Sequence, residues 1–464
     1  MDESGFNKNN GEPDEVAGQR NGGRNWHGKN GFEDYQDATT HYLKAENAQS
    51  GDKCHCCERG IIYDSEERRL LEFTGSAPVG VTRYRKQVLR CNACGAMATN
   101  NKNISKWTHS SRSAIVLQKT HGMPFHRLSK LQGLSGVPIA FSTLWHQCLD
   151  LWQEVGSYIY SELLSLIAEC STFNVDDTGA RILEVTKANK LLQGKKGRSC
   201  YTTTICARTA NNEALVVYVT KNRHGGENIG TILKQRQNKT DPIHLMVDAS
   251  SNNNPVLAEE DKWLASNIIT INCLSHGQRK FTDIEEYYPE ECGYFLIQTR
   301  AIYHNEHQCK EYSLEEKLKY HKKHSSVLVD NIYNKIEELF SEKRVEPNSA
   351  LGKGMKYWLN NKERLTQFLR VGTVSLDNNW AERSLRAIIL QRKNSLFFKT
   401  TDSAQVHSGL HTIVKTCDEN GINAFKYLNW LQDNGVKARK KPHDYIPFAY
   451  ARYMNTTELI ALAA

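Results

Sequence analysis

The hydrophobic pattern of this chain changes its period near residue 170. From about 110 to 170, apolar residues recur every three or four positions, which predicts helices that share one buried stripe. Its members are Leu144, Trp145, Cys148, Leu149, Trp152, Val155, Ile159, Leu163, Leu166 and Ile167. Beyond it, short alternating or apolar runs between polar turns predict strands. These runs are TFNVD (172–176), ARILEV (180–185), SCYTTTICA (199–207), EALVVYVT (213–220), IHLMVD (243–248) and NIITINCL (267–274).

A helical pattern returns after the last of these strands. Residues 313–345 are charged and helical in period, and residues 350–370 and 378–435 are also mostly helical. Strands followed by alternating strands and helices predict a mixed α/β core with helical additions. Residues 1–50 are rich in Gly, Asn and charged residues and poor in aliphatic ones, so we expect little independent structure there.

Composition adds constraints on size, partner and compartment. The chain has 464 residues, enough for several domains, and Lys plus Arg exceed Asp plus Glu by 8. This basic balance is compatible with a nucleic-acid partner but does not require one. There is neither a signal-peptide pattern nor an apolar run of the roughly 20 residues that span a bilayer. We therefore expect a cytoplasmic protein without a membrane partner, whose 13 cysteines are thiols or metal ligands.

Two cysteine pairs predict a zinc site. Cys54 and Cys57 form one C-x-x-C knuckle, and Cys91 and Cys94 form another. Each knuckle can direct two thiolates to one tetrahedral Zn²⁺, and the basic sequence RYRKQVLR between the pairs is typical of zinc-ribbon strands. The His and Cys inside the first pair are alternative ligands. The competing interpretation is a set of free, buried thiols.

Two aspartates follow strand patterns. Phe173 and Val175 alternate with Asn174 and Asp176, so a strand that buries the first two presents Asp176 on its other face. Asp248 ends a second apolar strand. Active sites of α/β sheets usually lie at the carboxyl ends of such strands. With a third carboxylate, these acids could bind a pair of Mg²⁺ ions for phosphodiester chemistry.

The candidate third carboxylate is Glu382. It lies in a run of cations that could hold a polyanion, namely Arg383, Arg386, Arg392, Lys393 and Lys399. A solvated helix face would mix the two signs more evenly. The alternative is a capping box, in which Asn379 caps the helix and Glu382 reaches back to it.

The aspartates also have structural alternatives. Asp176 and Asp177 could open a turn with Thr178 and Gly179, and Asp248 could cap a helix or a turn before ASSNNN. Spacing alone does not decide between these interpretations and a catalytic one.

A further motif follows the last predicted strand. Cys273 and His276 form a C-x-x-H, which alone is a weak zinc signal, and His276 could instead be packed or face a phosphate. Together with Arg279 and Lys280 it forms a cationic cluster that could contact the DNA backbone. The basic loop KANKLLQGKKGR (187–198) is a further possible phosphate contact.

Read together, these segments resemble the insertion-sequence-66 family of bacterial DDE transposases over roughly residues 25–450. GDKCHCCERGIIY and LRCNACG are similar to its zinc-binding domain, and GMPFHRLSKLQGLSGVPIAFSTLW to the helical segment that follows. NVDDTGARIL, HLMVDASS and NCLSHGQRKF are similar to its two aspartate motifs and its cysteine–histidine–arginine motif. EPNSALGKGMKYWLNNKERLTQFLR, DNNWAERSLRAIILQRKNSLFFKT and TCDENGINAFKYLNWL resemble the segments around its glutamate and its carboxyl-terminal region.

The resemblance implies an RNase H-like catalytic core and a triad of Asp176, Asp248 and Glu382, with Asp177 as the alternative first acid. It implies Mg²⁺ or Mn²⁺ at that triad and structural Zn²⁺ in the ribbon. The domains expected are a mostly disordered segment (1–50), a zinc ribbon (51–105), a helical DNA-binding or linker region (106–170), the first part of the core (171–284), a helical insertion (285–370), the second part of the core with the glutamate (371–435) and a tail (436–464).

The implied partners are DNA, both as element terminal repeats and as target, further copies of the chain on that DNA, and possible accessory proteins of the same element. The implied location is the cytoplasm, in association with the nucleoid. His276, Arg279, Lys280, Arg383, Arg386, Arg392 and Lys393 are the DNA contacts expected.

Two departures from the family pattern leave alternatives open. Gln278 and Arg279 replace a double arginine, which would weaken one DNA contact. The leucine-rich helix that relatives carry before the zinc domain is not visible in residues 1–25, which leaves multimerisation through it in doubt and a truncated copy as one interpretation. A regulator that binds DNA without cleaving it, and a nuclease without strand transfer, are the rival functions.

Overall fold

The computed structural model describes residues 49–53, 59–63, 77–90, 97–99, 104–192, 199–249, 253–257 and 261–463. The four predicted zinc ligands, Cys54, Cys57, Cys91 and Cys94, lie outside these residues. The chain divides into two units, Met1–Ser76 and Ala77–Ala464. In the first unit, Lys53 and Ile61 form an antiparallel bridge, and the amide of Gly51 donates to the carbonyl of Ile62 at 2.9 Å.

The second unit begins with a small hairpin. Strands β1 (Val88–Arg90) and β2 (Met97–Thr99) pair antiparallel, with Val88 opposite Thr99. The hairpin flanks the second predicted knuckle on both sides. The zinc ribbon itself stays a prediction.

Helices then carry the apolar stripe predicted for residues 110–170. They are α1 (His109–Thr120), α2 (Phe125–Leu134), α3 (Phe141–Leu151), a π-helical turn (Trp152–Gly156) and α4 (Ser157–Ala168). Leu144, Val155 and Ile159 are fully buried, and Trp145, Leu149 and Leu166 pack against the same core. The prediction of a buried helical stripe is confirmed.

A five-stranded mixed sheet forms the centre of the second unit. Its strands are β3 (Thr172–Ala180), β4 (Cys200–Arg208), β5 (Ala214–Lys221), β6 (Ile243–Val247) and β7 (Ile268–Asn272). Their order is β5-β4-β3-β6-β7. The pairs β5–β4 and β4–β3 are antiparallel, whereas β3–β6 and β6–β7 are parallel. The prediction of an α/β fold with a mixed sheet is therefore confirmed.

One predicted strand, ARILEV (180–185), is wrong. Strand β3 runs on to Ala180, Ile182 makes only an isolated bridge with Phe398, and helix α5 begins at Leu183 (Leu183–Lys190). At the start of α5, the backbone amide of Leu183 donates to the carbonyl oxygen of Phe398 at 2.9 Å. Phe398 lies shortly after Arg392 and Lys393 in the chain. This tertiary contact overrides the local alternation of apolar and polar residues.

Two shorter helices connect the remaining strands, α6 (Gly225–Leu233) before β6 and α7 (Lys262–Asn267) before β7. A series of helices follows β7, beginning before the expected start of the helical insertion (285–370), and the whole series is named the insertion. Its helices are α8 (Leu274–Thr282), α9 (Pro289–Gln308), α10 (Leu314–His324), α11 (Ser326–Ser341), α12 (Ala350–Asn360) and α13 (Lys362–Leu365), with a 3₁₀ turn at Gln367–Leu369. They share a second apolar core with Met246 of β6 and Ile271 of β7, in which the rings of Phe281 and Phe295 stack with centroids 4.3 Å apart.

The start and the end of this insertion meet. The amide of Leu274 donates to the carbonyl of Leu376 at 2.9 Å, and the indole of Trp358 donates to the carbonyl of Gly277 at 3.0 Å. The chain therefore leaves the sheet after β7 and returns to the same place about a hundred residues later.

Further helices follow the insertion. They are α14 (Asn379–Ser395), α15 (Thr401–Glu419), α16 (Ala424–Asp433), α17 (Gly435–Lys440), a 3₁₀ turn (Pro442–Tyr445) and α18 (Pro447–Ala463). The first two of them, α14 and α15, pack on the sheet. Helix α14 lies across β3 and β4, where Ala381, Leu385 and Ile388 pack against Cys206 and Tyr218. In the part of the chain that the structure describes, no helix is long and apolar enough to cross a membrane.

Candidate active site

The two predicted aspartates lie on neighbouring parallel strands. The last pairs of β3 with β6 are Phe173 with Leu245 and Asn174 with Met246. Continued for two residues, the same register aligns Asp176 with Asp248, which directly follows β6. Phe173 and Leu245 point into the main apolar core, so the alternation of a strand directs Asn174 and Asp176 to the opposite face.

Helix α14 brings Glu382 to that opposite face, and a clamp of amide side chains holds its first turn there. Asn378, just before the helix, donates from Nδ2 to the carbonyl of Val175 at 2.8 Å. Its Oδ1 accepts from Nδ2 of Asn174 at 3.2 Å. Asn378 is 1 % exposed, so these bonds fix the helix terminus against β3 in a buried position.

The alternative capping box at this terminus is wrong. Asn379 is the first residue of the helix rather than its cap, and its Nδ2 donates to Asp377 at 2.7 Å. The carboxylate of Glu382 does not return to that backbone. Its Oε1 is buried and has no hydrogen-bond partner among the described residues. A buried carboxylate oxygen without a partner is costly, which is typical of a group that awaits a ligand.

The three acids interact electrostatically. Burial raises the pKa of Asp176 to about 7, against the amide of Asp177, which lowers it. The negative charges of Asp248 and Glu382 raise it further. The carboxylates at the end of β6 and on α14 are thus close enough to disfavour the ionisation of Asp176, and a bound cation would reverse that effect.

The neighbouring Asp177 has a different environment. Its Oδ2 accepts from the amide of Gly225 at 2.9 Å, at the start of helix α6, where a carboxylate is stabilised by free N–H groups. Burial still raises the pKa of Asp177. Because β3 continues to Ala180, the alternative in which Asp176 and Asp177 open a turn is wrong.

Asn253 lies between Asp248 and Gly225, the residue whose amide binds Asp177. Asn253 is buried, and its Nδ2 donates to Oδ1 of Asp248 at 2.5 Å. Its own Oδ1 has no hydrogen-bond partner among the described residues, and a Cβ on Gly225 would lie 2.7 Å from that atom. In the sequence it is one of three successive asparagines, and no local signal distinguishes it from the others.

The C-x-x-H motif also converges on Glu382. His276 lies in α8, and its Nδ1 is 3.8 Å from Oε1 of Glu382, too far for a hydrogen bond. The Sγ of Cys273, Nδ1 or Nε2 of His276 and a carboxylate oxygen of Glu382 all lie within 4.8 Å of one another. Burial raises the pKa of the Cys273 thiol to about 11, so this thiol is protonated at neutral pH.

Among the described residues, two sets of three potential ligand groups approach this closely, and the three acids are not such a set. A site for two ions about 3.5–4 Å apart does not require all three carboxylates to lie so close together, because each ion needs only some of the acids.

Some of the residues predicted to contact DNA are simply exposed, whereas others already have partners within the protein. Arg383, Arg386, Lys393 and Arg279 are exposed. Arg392 is half-buried, and its Nη1 donates to Oγ1 of Thr178 and to the carbonyl of Gly179, both at 2.7 Å. Lys280 lies over the ring of Tyr357, with Nζ 5.2 Å from the centroid. Arg392 therefore ties α14 to the end of β3, whatever else it contacts.

Comparison with known proteins identifies the family of this chain. The class is that of transposases, because a family model described as "Transposase IS66 family" matches residues 105–406, well over half of the chain. This chain belongs to that IS66 family.

Three curated relatives from Sinorhizobium fredii (strain NBRC 101917 / NGR234) are also similar. Uncharacterized protein y4jD is 26 % identical over 157 residues, which are 34 % of this chain and 30 % of the relative. Uncharacterized protein y4qI is 25 % identical over 160 residues, and uncharacterized protein y4hP is 28 % identical over 165. Each of these two matches covers 34 % of this chain and 29 % of the relative, so the chain spans under a third of these proteins.

Proposed function

We propose that this chain is a DNA transposase that cuts and joins phosphodiester bonds at the ends of a bacterial insertion sequence, with Asp176, Asp248 and Glu382 as the catalytic acids. The observation that carries this proposal is geometric: the register of β3 and β6 aligns Asp176 with Asp248, and the helix that bears Glu382 packs across β3 and β4. Asp248 and Glu382, which lie 72 and 206 positions further along the chain, both act on the half-buried carboxylate of Asp176.

The topology supports an RNase H-like core. Three antiparallel strands are followed by two that add in parallel on the other side of the first, in the order β5-β4-β3-β6-β7. The first acid is in the central strand β3, the second follows the adjacent parallel strand, and the third is on a helix packed across the sheet.

The donor atoms fit a hard divalent cation. Carboxylate oxygens are the ligands that Mg²⁺ and Mn²⁺ prefer, and Asn253 adds an amide oxygen that no described residue hydrogen-bonds. Asp176 and Asp248 would share one ion, and Glu382 would complete the second site. Such ions, when bound, stabilise the attacking and the leaving oxygen of an in-line displacement.

Two displacements would make up the reaction. In the first, water attacks a phosphorus atom at the element end, the bond from phosphorus to the 3′ oxygen breaks, and a 3′-hydroxyl is released. In the second, that hydroxyl attacks a target phosphodiester and displaces the target's own 3′ oxygen. The role of Asp176 is to give up its proton when a cation binds, because its pKa of about 7 leaves it partly protonated at neutral pH.

DNA would lie along the exposed cations of α14 and α8. Arg383, Arg386, Lys393 and Arg279 are free of the sheet and can contact phosphates, with His276 and Lys280 beside them. We assign Arg392 a positioning role in addition to any phosphate contact. The predicted zinc ribbon with Cys54, Cys57, Cys91 and Cys94 would help to recognise the terminal repeats, and further copies of the chain or accessory proteins would assemble on the DNA in the nucleoid.

Purified protein, Mg²⁺ and labelled element ends test the proposal. Wild type should cleave the ends and join them to target DNA, and Asp248→Asn should lower the rate by about a thousandfold or more. Asp402→Asn is the matched control, because Asp402 is an exposed acid in the first turn of α15.

The outcomes separate the alternatives. Binding of the ends without any cleavage, with accessory proteins supplied, would favour a regulator that has lost its activity. Cleavage without joining would favour a nuclease. Cleavage by Asp248→Asn at the wild-type rate would refute the assignment of the site.

A further inference from the structure

A second cluster of ligand groups lies in the helical insertion. Glu306 in the last turn of α9, Cys309 just after it and His321 on α10 place a carboxylate oxygen, a thiol and an imidazole nitrogen within 4.8 Å of one another. Cys309 is fully buried and His321 is 1 % exposed. The proposed chemistry on the sheet uses none of them.

The distances suit one small ion. Nε2 of His321 is 2.8 Å from Oε2 of Glu306 and 3.5 Å from Sγ of Cys309. Tetrahedral Zn²⁺ with bonds of about 2.0 Å to nitrogen or oxygen and about 2.3 Å to sulfur separates its ligands by roughly 3.3–3.6 Å. The nitrogen–sulfur distance already matches, and the carboxylate has to move by only about 0.5 Å.

The surroundings of each ligand are those of a metal site. Oγ of Ser325 lies 2.8 Å from Nδ1 of His321, so the imidazole can keep its proton on Nδ1 and offer Nε2 as the ligand. Nδ2 of Asn305 donates to the same Ser325 oxygen at 3.1 Å and fixes it. Lys317 binds the other oxygen of Glu306 at 2.6 Å and leaves Oε2 facing the imidazole.

The charges also suit a divalent ion. One carboxylate and one thiolate neutralise Zn²⁺, and the Lys317 ammonium lies outside that set, on the far oxygen of Glu306. The metal-free arrangement consists of a hydrogen bond between His321 and Glu306 and a contact of 3.5 Å from the Cys309 thiol to the carbonyl oxygen of Glu306. In it the thiol still lies 3.5 Å from Nε2 of His321. A thiol, an imidazole and a carboxylate together favour zinc over magnesium.

We propose that Glu306, Cys309 and His321 bind a zinc ion that fastens α9, α10 and the start of α11 together. The side chain of Glu306 is 27 % exposed, so a water molecule can complete the coordination from that side. The site is distinct from the predicted ribbon and from the carboxylates on the sheet.

Zinc content of the purified full chain tests this proposal by comparing two cysteine variants. Cys292 is also on α9 and buried, but belongs to neither close set of ligand groups. After dialysis against metal-free buffer, Cys309→Ala should contain about one zinc fewer per chain than Cys292→Ala and wild type, whatever the predicted ribbon contains. Equal zinc in the two variants would overturn the site and leave a metal-free ion pair.

A milder variant covers the case in which Cys309→Ala fails to fold. Glu306→Gln keeps the size of the side chain and removes the charged ligand. In a Co²⁺ titration, the thiolate-to-cobalt absorption of the insertion site should require at least about tenfold more metal in this variant than in wild type. An unchanged titration would refute the proposal, and neither readout depends on DNA cleavage.

Discussion

The two faces of the central sheet use adjacent aspartates in different ways. On one face, Asp177 binds the amide at the start of α6, and the strand around it is covered by apolar side chains. On the other, Asp176 is half-buried with Asp248 and Glu382 as neighbours, and Oε1 of Glu382 has no partner among the described residues. Asp177 is bound by a helix terminus, whereas Asp176 accepts from the backbone amide of Asp177 at 2.9 Å and has two further carboxylates as neighbours.

The surroundings of the two carboxyls distinguish a catalytic acid from a structural one. Both carboxyls are partly buried, and burial raises the pKa of each. The charge of Asp248 raises the pKa of both, but Asp177 also binds a helix terminus, whereas Glu382 raises the pKa of Asp176. This difference identifies Asp176, rather than Asp177, as the proposed first acid.

The largest effect should come from replacing Asp176, whereas the same replacement of Asp177 should matter far less. Asp176→Asn should reduce Mg²⁺-dependent cleavage by about a thousandfold or more, because the amide cannot hold the ion as a carboxylate does. Asp177→Asn keeps an oxygen for the Gly225 amide and should stay within about tenfold of wild type. Cleavage rates on labelled DNA ends measure both, and a larger loss in Asp177→Asn would exchange the two assignments.

The next effect concerns stability and pH. The pKa of Asp176 is about 7 in the fold and near 3.8 in the unfolded chain, so the folded protein binds more protons between these values. Metal-free protein therefore loses stability as pH rises from about 4 to 7. Asp176→Asn removes this penalty and should stabilise the metal-free protein by about 1–3 kcal/mol at pH 8, but little at pH 4. Denaturant titrations at both pH values measure the difference, and an equal gain at both would contradict it.

A smaller effect should follow when Asn253, which lies between Gly225 and Asp248, is displaced. A Cβ at position 225 would lie 2.7 Å from Oδ1 of Asn253, whose amide holds Asp248. Gly225→Ala should therefore move Asn253 and lower the cleavage rate by about tenfold. Gly293→Ala is the control, because a Cβ there meets nothing within 4 Å. Equal rates in the two variants would show that Asn253 does not position Asp248.

The smallest effect is expected from removing the structural acid. Asp177→Ala leaves the amide of Gly225 without its partner and should lower the free energy of unfolding by about 0.5–2 kcal/mol. Asp177→Asn should recover most of that loss. Thermal unfolding of the two variants in parallel tests whether Asp177 acts as a helix cap, and identical melting temperatures would argue against it.

Local pattern could predict which face of β3 carries Asp176, since alternation along a strand is a property of the strand alone. It could not predict that β6 aligns Asp248 with that residue, because strand register depends on a partner some seventy residues away. The ARILEV segment failed for a related reason: a contact with Phe398 decides its structure.

Other parts of the site gave no usable signal in the sequence. The place of Asn253 among three asparagines and the approach of His276 to Glu382 arise from packing between distant segments. The family resemblance supplied the triad where spacing left it open. The structure adds that Asp377 accepts from the backbone amide of Asn379 at 3.1 Å, the group that a capping box would have paired with Glu382.

The bond between the amide of Leu274 and the carbonyl of Leu376 has a consequence for how this protein can change in evolution. Because the two ends of the insertion already touch, lengthening the segment between them adds only about 0.6 kcal/mol of closure entropy per doubling. Glu382 would keep its place while helices are gained, lost or reshaped beyond that point. The insertion is thus the part of the chain most open to new partners, including the metal proposed for it.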